Sequence, residues 1–170
     1  MTRRVNRRSF VKGVAVAGAA SALASCGQAP GRWRFFTQKE AELVNLISDQ
    51  IIPRDQDPGA IDAGVVYFID KQLTGPYKRF QRDYREGLGA VEKMCASMYR
   101  KDFGQLTWNQ QTKLLQALES GPNARFFELI RDHCMQGFYG SPRHGGNKDY
   151  VSFRMLGLDY PQIIGQNRYS

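Results

Sequence analysis

Between residues 40 and 138 apolar side chains recur every three or four positions, and the run is broken at a few Pro and Gly positions. That period predicts a set of packed helices. Thr37-Gln38-Lys39-Glu40 is a T-x-x-E capping box, after which Leu43, Val44, Ile47 and Ile51 mark one face of a first helix. Pro53 ends it, and Asp55-Gln56-Asp57-Pro58-Gly59 reads as a turn. A second helix is expected over 60–73, with Ile61, Val65, Phe68 and Ile69 inward. Gly75-Pro76 breaks the chain. A long helix then runs over 77–103, its stripe formed by Phe80, Tyr84, Leu88, Val91, Cys95 and Met98. Gly87 and Gly89 inside it allow close packing or a kink.

Thr107-Trp108-Asn109-Gln110 repeats the capping pattern and opens a helix carrying Leu114, Leu115 and Leu118. Gly121 reads as its stop and Pro122 as the first residue of the next helix, which holds Phe126, Leu129, Ile130 and Cys134 and reaches about residue 138. Residues 150–158 are again amphipathic. No stretch combines β-branched alternation with a two-residue turn. The expected fold is therefore mostly α: a single compact domain of about five helices over 37–160, after a cleaved signal peptide at 1–25 and a linker at 26–36. A C-terminal tail of little pattern covers 161–170.

The leader has its own texture. Asn6-Arg7-Arg8-Ser9-Phe10-Val11-Lys12 carries the twin-arginine export pattern, in which Arg7, Arg8, Phe10 and Lys12 are the signal residues. The apolar run that follows, Val14 to Ala24, is too short to span a bilayer and reads as a signal-peptide segment. Two processing sites compete. Ala22-Leu23-Ala24 fits release as a soluble protein, and Leu23-Ala24-Ser25-Cys26 resembles a lipobox in which Cys26 is lipidated. Lipidation is favoured because a lone cysteine there is otherwise unexplained. The expected location is the periplasm, free or tethered by a lipid at Cys26.

Charge and cysteines narrow the classes further. The net charge is +8, but Arg3, Arg4, Arg7, Arg8 and Lys12 lie in the leader, leaving 19 basic against 16 acidic residues, so no nucleic-acid partner is expected. Cys95 and Cys134 remain as a candidate disulfide or as two buried thiols, and no C-x-x-C-H haem-attachment motif is present. Phosphate-binding glycine motifs are missing, and Gly87-Leu88-Gly89-Ala90 falls inside a helix. Only His133 and His144 are available as histidine ligands, and Asp55 with Asp57 before Pro58-Gly59 reads as a turn before a calcium site. No catalytic, cofactor or metal residue is assigned to this chain.

The most informative segment is the glycine-rich stretch 140–149. Arg143, His144, Gly145, Gly146, Asn147 and Asp149 form a candidate interface loop, in which paired glycines let backbone approach another surface. The catalytic alternative makes His144 a general base, with Arg143 and Asn147 polarising a substrate. A single histidine without an orienting carboxylate supports this weakly, so structural or interface use is favoured.

Three stretches together resemble a known family: the leader, the block Ile51-Ile52-Pro53-Arg54-Asp55-Gln56-Asp57-Pro58-Gly59-Ala60 with Phe68-Ile69-Asp70, and the block Gly137-Phe138-Tyr139-Gly140 through Lys148-Asp149 with Phe153-Arg154-Met155-Leu156-Gly157. In order and spacing they are similar to subunit 3 of membrane-associated gluconate 2-dehydrogenases, over residues 37–160. The resemblance implies a non-catalytic small subunit of a periplasmic sugar or sugar-acid dehydrogenase. FAD would sit on a large flavoprotein subunit, and haem c on a cytochrome c subunit where one is present. The small subunit would escort the flavoprotein through the twin-arginine translocase and stabilise it. The alternative is a free-standing periplasmic or lipid-anchored binding protein, or an enzyme using His144.

Overall fold

The computed structural model describes residues 32–158. The export residues Arg7, Arg8, Phe10 and Lys12, the cysteine Cys26 and the tail after 158 lie outside the described residues. The described residues form six α-helices: α1 (Gln38–Ile51), α2 (Val65–Leu73), α3 (Gln81–Tyr99), α4 (Trp108–Ser120), α5 (Ala124–Tyr139) and the short α6 (Val151–Met155). Single 3-10 turns lie at 78–80, 103–105, 142–144 and 148–150, and no strand occurs among the described residues. The mostly-α expectation holds.

Helix α5 is the centre, packing against each of the other five. Its inner residues Phe126, Ile130, Cys134 and Phe138 meet Val44 and Ile47 of α1, Val65, Ile69 and Leu73 of α2, Tyr84, Leu88 and Val91 of α3, and Leu114 and Leu118 of α4 in one buried core. Small residues set how near the helices come. A β-carbon on Gly87 would lie 2.1 Å from the Phe126 ring, so of the two roles open to it, close packing of α3 on α5 is the one seen. Gly137 does the same for α2, where a β-carbon would lie 3.0 Å from Phe68. Both T-x-x-E/Q boxes form, with Thr37 and Glu40, and Thr107 and Gln110, exchanging side-chain and backbone hydrogen bonds.

Four expectations are corrected. Residues 60–64 form turns, and α2 starts only at Val65, because Gly64 takes a left-handed conformation (φ 65°) that a continuous helix cannot accommodate. Ile61 consequently faces out, 47 % exposed. The long helix ends earlier than expected: Arg100 turns left-handed, Met98 is left exposed, and Phe103 re-enters the core through the following 3-10 turn. Helix α5 begins at Ala124, with Pro122 in the preceding turn. Lastly, residues 33–36, read as linker, are part of the body, with Phe36 buried.

Cys95 on α3 and Cys134 on α5 are buried free thiols, the second of the two readings. The Cys134 thiol donates to Ser48 Oγ at 3.3 Å, and Ser48 in turn donates to Val44 O at 2.7 Å. Burial pushes Cys134 up to about 12 and Cys95 up to about 11, so both are protonated and unreactive at neutral pH.

Candidate functional site

Two irregular segments, one from each end of the described chain, are fastened onto the short helix α2. The first is the strap 32–36. Asp70, only 4 % exposed, accepts three backbone N–H bonds: Oδ2 from Arg34 at 2.8 Å, and Oδ1 from Phe35 at 2.9 Å and Phe36 at 3.0 Å. An ionised acceptor serving several amides is among the stronger neutral-partner arrangements available to a protein. From the other side, Arg85 of α3 donates to Phe35 O at 2.9 Å, lies over the Phe35 ring and pairs with Glu40. Burial raises the Glu40 pKa, but hydrogen bonds from Arg85 and Thr37 outweigh it and the net shift is downward. Trp33 stacks on Tyr67 of α2 with ring centroids 5.0 Å apart, and the Arg32 guanidinium covers that pair.

The second segment is the glycine-rich loop. Lys71 Nζ donates to Arg143 O at 2.8 Å and Gln72 Nε2 to His144 O at 3.0 Å. Lys148 N donates to Ala63 O just before α2. Gly145 sits in the left-handed region (φ 111°), strained for any side chain, with Lys71 Cδ 3.2 Å from where a β-carbon would be. Gly146 lies directly on α5, since a β-carbon there would be 2.1 Å from Gly137 O. Asn147 is wholly buried: its N–H donates to Gly137 O, Nδ2 to Gly140 O at 2.9 Å, and Oδ1 accepts from Ser152 N at 3.0 Å. Its left-handed backbone (φ 44°) suits Asn better than most residues.

This divides the candidate loop residues into two groups. Arg143, His144 and Asp149 are exposed and available to a partner. Gly146 and Asn147 are internal, closing the chain on itself, so they cannot contact another molecule directly. Gly145 is half-buried and holds the bend. At His144 the ring Nε2 accepts a hydrogen bond from Arg143 Nε at 3.1 Å. Asn147, assigned in the catalytic alternative to polarising a substrate, has its amide engaged internally.

Beside the loop an open groove of about 670 Å3 runs between α2 and α5, lined mainly by Phe68, Tyr77, Met135 and Tyr139, with His144 at one end. Met135 and Tyr139 are exposed apolar side chains of the central helix. Below Tyr77 lies a buried polar cluster: the His133 ring stacks on Tyr77 at 4.5 Å, and His133 Nδ1 and Tyr84 Oη share a hydrogen bond at 2.9 Å. Burial pushes His133 down to about 4, so it is a neutral core histidine. The Asp55–Asp57 pair forms an Asx turn, Asp57 N donating to Asp55 Oδ1 at 2.9 Å. Among the described residues no three His, Cys, Asp or Glu side chains come together to hold a metal ion, and no helix is long and apolar enough to cross a membrane.

Sequence reasoning passed over Asp70, Lys71 and Gln72 as functional groups. A signal was present for the first: Val66, Asp70 and Leu73 are spaced by four and three, which puts a carboxylate on the inner face of an apolar helix, where it needs donors. Comparison with known proteins gives no significant match to a curated protein or to a solved structure. A family model, gluconate 2-dehydrogenase subunit 3, matches residues 38–159, from the start of α1 through the loop and α6. The chain therefore belongs to the gluconate 2-dehydrogenase subunit 3 family.

Proposed function

We propose that this chain is the non-catalytic small subunit of a membrane-associated, FAD-dependent gluconate or sugar dehydrogenase complex. It grips the flavoprotein, stabilises it and carries it through the twin-arginine pathway to the periplasm. FAD belongs to that large subunit in this reading, and haem c to a cytochrome subunit where the complex has one. The observation that carries the reading is the apolar groove with exposed Met135 and Tyr139 beside the closed loop. A face of this kind on a member of a dehydrogenase-subunit family suits a protein partner, because scattered polar residues are the ordinary surface and a continuous apolar groove is not. Of the polar groups that the catalytic alternative needs in the loop, the Asn147 amide is directed inward.

Two measurements test this. Met135→Asp with Tyr139→Asp is expected to abolish co-purification of the FAD-bearing subunit while the melting temperature of the small subunit stays within a few degrees. Arg7→Lys with Arg8→Lys is expected to hold both subunits in the cytoplasm. Export of the flavoprotein undisturbed by the arginine changes would refute the escort role. Sugar oxidation by the isolated chain, lost in His144→Ala, would replace the accessory reading with the catalytic one.

A further inference from the structure

The strap, α2 and the loop build a second exposed face adjoining the groove. Arg32 lies over the stacked Trp33 and Tyr67 rings. Tyr67 and Lys71 are four residues apart on α2 and therefore share a face. Lys71 reaches the backbone of Arg143. On the other side, the position of a β-carbon on Gly64 touches both the Tyr67 ring and Lys148 Cβ, which places Lys148 at the same patch. Among the described residues none of Arg32, Lys71, Arg143 and Lys148 is in a salt bridge, whereas Lys39, Arg54, Arg82, Arg85 and Arg131 are. Two acids adjoin them in sequence: Asp149 is exposed, and Asp70 is buried and engaged by the strap amides. Four cations outside any salt bridge among the described residues thus surround an amphipathic aromatic pair.

We propose that this face, formed by Arg32, Trp33, Tyr67, Lys71, Arg143 and Lys148, seats the chain on an anionic lipid bilayer. The choice of a bilayer rests on charge complementarity and on connectivity. Cations that no carboxylate neutralises suit a plane of phosphate headgroups, and Trp and Tyr are the side chains that favour the boundary between water and acyl chains. The face also begins at Arg32, six residues after Cys26. Six residues reach about 20 Å at full extension. An acyl chain on Cys26 would therefore keep the face close to the headgroups, where its field is not screened away. The inference rests on the membrane-associated reading above for delivery of the face to the bilayer, while the binding itself is carried by the patch.

The experiment uses the processed chain carrying Cys26→Ser, so that no acyl chain contributes, and sedimentation with vesicles of phosphatidylcholine alone or with one-third phosphatidylglycerol. The expected result is binding to the anionic vesicles only, weakened by salt. Each single change among Arg32→Gln, Lys71→Gln, Arg143→Gln and Lys148→Gln should weaken it by about fivefold, and the four together by roughly several hundredfold. The same number of neutralised cations elsewhere, Lys93→Gln, Arg100→Gln, Lys101→Gln and Lys113→Gln, should leave it nearly unchanged. Thermal melts confirm folding, and the single variants decide the matter if the fourfold one is unstable. Anionic binding that survives the fourfold change, or that falls equally in the control set, overturns the proposal. Loss of the flavoprotein with vesicle binding retained does so too, by making this face a protein interface. Finding Cys26 unacylated in cells would instead strike the tether and leave the vesicle result standing.

Discussion

Removing the Asp70 carboxylate should unfasten the strap before it unfolds the body. In Asp70→Ala the amides of Arg34, Phe35 and Phe36 lose their acceptor together. The Phe36 amide is buried, and a buried donor left without a partner costs about 1–3 kcal/mol. The other two amides are part-buried, so water recovers some of their loss, and about 0.5–1 kcal/mol each is the reasonable share. The sum is about 3 kcal/mol, a large fraction of the 5–15 kcal/mol typical of a whole domain. For a body of this size that corresponds to a fall in melting temperature of roughly 10 °C. Asp70→Asn should cost less, about 1–2 kcal/mol, because one oxygen still serves Phe35 and Phe36 while the NH2 opposes the Arg34 amide.

Urea titration gives the free energy, and amide exchange at residues 34–36 together with tryptic cleavage after Arg34 gives the location. Exchange at the strap should quicken far more than exchange in α5, and cleavage after Arg34 should appear under native conditions. A loss below 1 kcal/mol in Asp70→Ala, with the Phe35 and Phe36 amides still protected, would show that Arg85 and the Phe36 side chain hold the strap without the carboxylate.

Further outcomes can be checked on the same purified chain. In α3, Gly89→Ala should stabilise by about 1 kcal/mol, since nothing lies within 4 Å of the added carbon. Gly87→Ala should instead destabilise by about 2 kcal/mol, because it forces the Phe126 ring aside. Paired melts compare the two. Asn147→Ala strips partners from Gly140 O and Ser152 N and puts Ala in a left-handed conformation, for a loss of about 3–4 kcal/mol by urea titration. Asn147→Asp should be little better, since a carboxylate oxygen would face the Gly140 carbonyl. His133 titrates at about 4 in the fold against 6.5 ordinarily, so the unfolded chain binds the extra proton. Stability should be full above pH 6.5 and fall by about 2–3 kcal/mol as pH drops toward 4, a slope that His133→Gln removes from a series of melts.

What could be read from the sequence was local. The two capping boxes lie within four residues of chain, so nothing distant can easily override them, and both form. The stripes of α1, α4 and α5 were legible because each helix buries one face against the same core. Ile61 was misplaced because periodicity assumes an unbroken helix, and the left-handed Gly64 resets the phase between Ile61 and Val65. The loop was legible as unusual but not in its roles. Paired glycines announce close approach, whereas the object approached, Gly137 on α5, is known only once the bundle is assembled. The Asp70 bonds span more than thirty residues, and no local rule names a carboxylate's donors at that range.

The three consecutive residues Asp70, Lys71 and Gln72 give the site its logic. Asp70 holds the strap from one end of the described chain, while Lys71 and Gln72 hold the loop from the other. Helix α2 has only nine residues, and helices that short are not stable alone, so it is in place only because it packs on α1 and α5. The exposed face over α2 is thus the product of two non-helical segments, each fastened to a helix that itself depends on the finished bundle. An unfolded chain cannot display it. Whatever binds this face therefore distinguishes folded small subunit from unfolded. That selectivity follows from where three side chains on one turn of helix direct their hydrogen bonds.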